Sequence, residues 1–142
     1  MPKNDFQFTN FKIHSQFSIC EGAVKIDELA KYCKNNKLKA IGLCDSYNLC
    51  GALEFAEKIS KVGTQPLIGT QINFKQDNII GKLPIFAKTE TGYRNLTKLS
   101  SSSYLEIDGT TEPYCNLSKL IKNKEGLILL SGSIYDFFGK LF

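Results

Sequence analysis

Two helical stretches of the same apolar spacing, each followed by a short apolar run, constrain this chain most. Over residues 25–36, Ile26, Leu29, Ala30 and Cys33 fall at i, i+3, i+4 and i+7, which predicts an amphipathic helix ending at Asn35-Asn36. Ala40-Ile41-Gly42-Leu43-Cys44 then has the length and apolarity of a buried strand. Between residues 51 and 62, Ala52, Phe55, Ala56 and Ile59 repeat the helical spacing. Glu54/Lys58 and Glu57/Lys61 suit i,i+4 pairing, and Gly63 closes the pattern. Residues 66–74 read as a further strand, and 83–88 as another after a polar turn at Gln76-Asp77-Asn78. With a short strand at 11–15, the order is β-α-β-α-β. That order predicts an α/β fold with mainly parallel strands, and chemistry at the carboxyl ends of those strands, near His14, Asp45 and Gln71.

The remaining length continues the alternation: a helix over 91–103, a short helix over 116–123, and a strand over 127–131. At the end, Ile134, Phe137, Phe138 and Leu141 recur at helical spacing, so the chain is expected to stop inside a helix whose Phe137/Phe138 face lies exposed and needs a covering partner. Exposed strand edges add to that, and the chain expressed alone is expected to aggregate. A chain of 142 residues has room for one domain or part of a larger one. Its 42% hydrophobic and 23% charged residues exclude disordered and collagen-like classes. The longest strictly apolar run, at 127–130, is far short of a membrane span, and a cytoplasmic protein without membrane contact is expected.

Charge and cysteine content narrow the chemistry. The net charge is +4, yet Arg94 stands alone among 18 basic residues, so bidentate reading of phosphate or guanine is hardly available. Lys31, Lys34, Lys37 and Lys39 read as a solvated helix face able to touch phosphates by charge alone. Five cysteines without a Cys-x-x-Cys pair read as buried hydrophobes in a reducing compartment. Of the residues able to carry chemistry, the single histidine, His14, shares a face with Lys12 by the two-residue period. Asp45 follows a strand, as an oxygen ligand, a base or a helix cap would. Glu54 has Lys58 as an ion-pair partner. Neither a nucleophile elbow nor a Gly-rich phosphate loop is present.

Several runs carry a resemblance. Phe11-Lys12-Ile13-His14-Ser15-Gln16-Phe17-Ser18, with Glu21-Gly22-Ala23 and Ile26, resembles the opening motif of the polymerase and histidinol phosphatase (PHP) domain. The run from Asp45 to Phe55 resembles its second motif, and Gln65-Pro66-Leu67-Ile68-Gly69 its third strand. The runs from Lys88 to Leu99 and from Gly126 to Gly132 are similar to segments of bacterial DNA polymerase III alpha subunits.

The resemblance implies a distorted seven-stranded (β/α) barrel. Residues 1–142 would be its first part, incomplete at the carboxyl end, with the palm, fingers and later polymerase domains absent. Metal-binding members carry His-x-His, Asp-His and a Glu after Ile-Gly-x. Here the corresponding positions hold Lys12, Ser46 and Gln71, while His14, Asp45 and Glu54 persist as vestiges of the site. An ammonium at Lys12 repels a divalent cation, and Ser46 and Gln71 are poor ligands, so no metal and no catalytic residue is assigned.

The function so implied is that of the amino-terminal segment of a replicative DNA polymerase. It would be structural, and a docking surface for the proofreading exonuclease subunit. Its partners are the remainder of the alpha chain, that exonuclease, and DNA through the holoenzyme. Mg is the cofactor of the parent polymerase alone. The competing readings are an active PHP phosphoesterase or 3'-5' exonuclease using Zn or Mn, and an error-prone polymerase paralogue.

Overall fold

The computed structural model describes residues 8–105, 107 and 112–141. In chain order the elements are α1 (Ile26–Asn35), β1 (Ala40–Ser46), α2 (Ala52–Lys61), β2 (Gln65–Gln76), β3 (Ile79–Ala87), α3 (Glu90–Leu105), β4 (Tyr114–Asn116), α4 (Leu117–Lys122) and β5 (Leu127–Leu129). A single 3-10 turn follows at Phe138–Lys140.

One sheet organises them in the order β1-β2-β3-β5. The long strand β2 is its spine. β1 runs parallel along its first half, β4 runs parallel along Asn73–Lys75, and β3 lies antiparallel on its other edge. β5 pairs antiparallel with β3. The sheet is therefore mixed: parallel pairing, as expected, joins β1 to β2 and β2 to β4, while β3 reverses direction. The cause is local. Gln76 pairs with Ile79, leaving Asp77-Asn78 as a two-residue turn with Asp77 at φ +53°, too short for any crossover.

Two apolar clusters hold the layers together. In the first, the helical spacing of Ile26, Leu29, Ala30 and Cys33 meets that of Phe55 and Ile59 over Ile41 and Leu43. The second joins Ile72 and Phe74 of β2, Leu83 and Ile85 of β3, and Leu96 and Leu99 of α3 with Cys115, Leu120 and Phe137.

Two expectations are corrected. Residues 11–15 form no regular strand, although the chain before His14 does lie along β1: Gly42 N–H donates to Asn10 O (2.8 Å) and Cys44 N–H to Ile13 O (2.8 Å). This approach requires glycine, because a Cβ at Gly42 would lie 2.3 Å from the Phe11 carbonyl oxygen. The closing stretch is not an amphipathic helix either. Ile134 is 73% exposed, whereas Phe137 is fully buried, edge-on to Phe138 at a centroid distance of 5.7 Å. The expected exposed Phe137/Phe138 face thus has its first ring in the core. Of the cysteines, Cys33, Cys44 and Cys115 are buried as the small hydrophobes expected, and Cys20 and Cys50 are exposed.

Candidate functional site

The register of the sheet assembles the site. Ser46, the last residue of β1, pairs with Gln71 of β2, which pairs with Pro84 of β3. Two residues along, Asn73 pairs with Lys82. Residues alternate faces along a strand, so Ser46, Gln71, Pro84 and Lys82 stand on one side of the sheet. The segment along β1 adds Lys12 and His14, the loop before α1 adds Glu21, and the stretch after β5 adds residues 130–133 and Asp136. With Gln71, Pro84 and Lys82, but not Ser46, these residues line an open cleft of about 680 Å³. Lys12 and His14 do face the same way.

A hydrogen-bond network ties the cleft floor. The Ser46 hydroxyl donates to Glu21 Oε2 and accepts from Gln71 Nε2 at 2.7 Å. Lys82 Nζ lies 2.8 Å from Glu21 Oε1 and 5.3 Å from the Tyr47 ring centroid, close enough for a cation-π contact. The Lys82 hydrogen bond, then that from Ser46, holds the Glu21 carboxyl below its ordinary range. Burial, reinforced by Glu112, pushes the Tyr47 phenol up; its hydroxyl donates to Glu112 Oε2 at 3.1 Å. Two buried side-chain atoms lack a hydrogen-bond partner among the described residues, His14 Nδ1 and Gln71 Oε1.

Asp45 is directed to the other face, as its place before Ser46 requires. It is buried, and both oxygens are engaged: Oδ1 accepts from the Ser15 backbone N–H (2.6 Å) and the Ser18 hydroxyl (2.6 Å), Oδ2 from the Ser15 hydroxyl (2.7 Å). Ser18 Oγ in turn accepts from Ser46 N–H at 3.0 Å, and Thr70 donates to the Asp45 carbonyl at 2.6 Å. Asp45 does not cap α2, whose N-cap is Gly51.

Of the six positions singled out from sequence, Lys12, His14, Ser46 and Gln71 are thus brought together around the cleft and the network beneath it. Asp45 is linked to them through Ser18, and Glu54 is not. Its carboxylate makes an i,i+4 pair within α2 with Lys58 at 2.7 Å, and it is Lys58 that ties α2 to α1 through Asp27 at 2.6 Å. Glu21 and Lys82 belong to the network at the cleft, and the hydroxyls of Ser15 and Ser18 to the one around Asp45, and residue-by-residue reading singles out none of these roles. The signal for the serines was their three-residue spacing directly after the only histidine.

The donor set bears on metal binding. Among the described residues no three His, Cys, Asp or Glu side chains gather where one ion could bind them. The Asp45 and Glu21 carboxylates already accept from serine hydroxyls, a backbone N–H and an ammonium.

The PHP domain model matches residues 10–142. The chain belongs to the PHP domain family. Its similarity to curated proteins runs to DNA polymerase III alpha subunits. That of Caulobacter vibrioides is 36% identical over 138 residues, which cover 88% of this chain and 12% of the relative. That of Rickettsia felis is 38% identical over 125 residues, covering 87% and 10%. This PHP chain therefore spans about a tenth of the length of the curated relatives it matches. An amidohydrolase from Chromobacterium violaceum, solved with bound sulfate and no metal, superposes with a TM-score of 0.50 at 16% identity, over 64% of this chain and 32% of that one. That likeness concerns the fold alone, and agrees with part of a PHP barrel. Among the described residues no helix is long and apolar enough to cross a membrane.

Proposed function

We propose that this PHP segment serves a replicative DNA polymerase alpha chain as a structural module whose cleft is braced by protein hydrogen bonds in place of a metal cluster. One observation carries the reading: the Lys82 ammonium sits 2.8 Å from Glu21, whose other oxygen accepts from Ser46, itself bonded to Gln71. A divalent ion needs deprotonated, unencumbered donors and orienting partners around them. Here the ammonium already neutralises Glu21, Asp45 is bound by two serines, and Lys12 on the cleft wall adds repulsion. The residues present do not fit a multinuclear Zn or Mn site.

In this reading nucleotidyl transfer and its Mg belong to other parts of the parent polymerase. The segment's neighbours are the remainder of that chain and the proofreading exonuclease subunit. The similarity of nearly the whole chain to alpha subunits supports the assignment.

Metal analysis of protein prepared in chelator-treated buffer and then equilibrated with Zn or Mn tests it, alongside phosphomonoesterase and 3'-5' exonuclease assays. Well under one ion per chain and no hydrolysis are expected. Stoichiometric metal, with hydrolysis abolished by His14→Ala, overturns the structural reading in favour of a metal-dependent phosphoesterase.

A further inference from the structure

We infer that the cavity between the loop before α1, the turn after β1 and the last turn of α3 is a socket for an arginine side chain carried by a partner polypeptide. This cavity is separate from the cleft and shares only Glu21 with it.

Three aromatic residues, Phe17, Tyr47 and Tyr104, line a space of about 180 Å³. That is below the roughly 300–1,000 Å³ of small-molecule sites and suits the head of a single side chain. Aromatic rings attract cations to their negative faces. A guanidinium, planar and weakly hydrated, stacks there better than a strongly hydrated ammonium does. The Tyr47 ring already serves one cation, since Lys82 Nζ lies 5.3 Å from its centroid, although Lys82 lines the cleft and not this cavity.

The polar part of the wall selects a donor. Asn48 Nδ2 spends its hydrogens inward, on Phe17 O at 3.0 Å and Ser46 O at 2.9 Å. The Ser46 hydroxyl donates to Glu21, and the Tyr47 hydroxyl to Glu112. Of the lining side chains able to donate, only Tyr104 stands outside these bonds. Asn48 Oδ1 accepts from Cys50 N–H at 3.0 Å and, as an amide oxygen, has a second lone pair to offer. A wall with its donors consumed and acceptor capacity left fits a guanidinium, which brings five N–H groups and no acceptor. Charge agrees. Glu21 is neutralised by Lys82 at 2.8 Å, but the partners of Glu112 among the described residues are neutral, the Tyr47 hydroxyl at 3.1 Å and the Asn73 side-chain amide at 3.2 Å. After burial, the Glu112 charge is the next cause pushing the Tyr47 phenol up, and the same field favours a cation beside that ring. The rim selects the carrier. Ile19 is 86% exposed at the cavity edge and Tyr104 is half-exposed, so residues flanking an arginine in a polypeptide have apolar surface to cover, which a free amino acid would leave wet.

The test titrates the 142-residue chain with acetylated, amidated tripeptides in which arginine, citrulline or lysine stands between two leucines, and with N-acetylarginine amide, reading NMR shifts of the Tyr47 and Tyr104 ring protons. Saturable shifts are expected with the arginine tripeptide. Citrulline, which keeps the shape and loses the charge, should raise the Kd about tenfold or more, and lysine about threefold or more. Tyr104→Leu should raise the Kd of the arginine tripeptide about fivefold, while Tyr104→Phe, which keeps the ring, holds it within about twofold. Tyr32→Leu on the exposed face of α1 leaves it unchanged. The absence of a saturable shift, citrulline or lysine binding as tightly as arginine, or a Kd indifferent to Tyr104→Leu overturns the inference. N-acetylarginine amide binding as tightly as the tripeptide overturns the polypeptide as carrier. The citrulline comparison needs no substitution in the protein, so it decides even where Tyr104→Leu does not fold.

Discussion

Replacing Asp45 by alanine is the sharpest probe of the serine cage. The carboxylate is 1% exposed and accepts from three donors, the Ser15 N–H, the Ser15 hydroxyl and the Ser18 hydroxyl, all at 2.6–2.7 Å. The backbone N–H cannot turn away once the acceptor is gone. The hydroxyls can rotate, but both are buried and their oxygens already accept, Ser15 Oγ from Phe17 N–H and Ser18 Oγ from Ser46 N–H. Leaving buried donors unpaired costs about 1–3 kcal/mol each, reduced where rotation finds a new acceptor, for a total of about 3–5 kcal/mol. For a chain of this size that is a fall in Tm of about 10–15 °C. Asp45→Asn should lie between, since its Oδ1 still accepts but its amide nitrogen confronts a serine donor. Glu54→Gln, which disturbs only a partly exposed ion pair, should lie within about 1 kcal/mol of the parent. Urea denaturation of the four proteins gives the ranking. An Asp45→Ala variant within 1 kcal/mol of the parent, or one no worse than Glu54→Gln, refutes the account of the cage. If Asp45→Ala does not fold, the order of Asp45→Asn against Glu54→Gln still decides.

Glu21 should titrate below the ordinary glutamate value of 4.5, with Lys82 as the main cause. A depressed folded-state value means that the stabilisation is present above the unfolded value and is lost as pH falls through the folded one. NMR titration of the Glu21 carboxyl should therefore show its midpoint rising in Lys82→Met, and the stability gap between the two proteins narrowing toward acid pH; identical midpoints would disprove the pairing. Iodoacetamide at pH 8 should label Cys20 and Cys50 quickly and the other three cysteines only on unfolding, since burial pushes the Cys44 thiol up to about 12 and the Cys115 thiol to about 11. Peptide mass mapping that finds Cys44 labelled in the folded protein contradicts that. Phe137→Ala should lower stability by about 3–5 kcal/mol, as a buried aromatic does, and a loss below 1 kcal/mol would mean that the ring lies at the surface, as its spacing alone suggested.

The two helices were legible in the amino-acid order because each buries a stripe against the same strand: residues 25–36 and 51–62 became Ile26–Asn35 and Ala52–Lys61. The end of the chain misled for the opposite reason. Ile134, Phe137, Phe138 and Leu141 keep a helical period, but what seats Phe137 is a close approach to β3 that no local pattern encodes. A Cβ at Gly81 would lie 2.4 Å from the Phe137 backbone nitrogen, and Phe137 N–H donates to Lys82 O at 3.3 Å. The same stretch of β3 hid half of the site. Gly81-Lys82 interrupts the apolar pattern, which predicts a strand only from residue 83 onward, although β3 begins at Ile79. Lys82 thereby falls outside the expected strand, and its pairing with Glu21 across 61 positions is not visible in the sequence. Asp45, Ser46 and Gln71 were legible as positions because they end or continue apolar strand runs, but which donors each would meet depends on the register between strands.

On the proposed reading, hydrogen bonds do the cross-linking that a metal cluster would otherwise supply. A metal cluster cross-links loops by drawing several anionic donors to one centre. Here a tethered ammonium on β3 and hydroxyls on the loop before α1 make the same kind of cross-link with single bonds. Lys82 joins β3 to Glu21, Ser46 and Gln71 join β1 to β2 beneath it, and Ser15 and Ser18 fasten the loop to Asp45. Each bond is weaker than a coordinate bond, but none depends on metal supply, and within this chain of contacts Gln71 Oε1 is the atom left without a partner among the described residues. Restoring one ligand alone, as in Gln71→Glu, would place a second carboxylate beside Glu21 with one ammonium between them and remove the donor to Ser46. Such a variant should therefore be less stable than its parent at neutral pH while gaining no stoichiometric metal, and a Gln71→Glu protein that is both as stable and Zn-loaded would show that the bracing network is incidental.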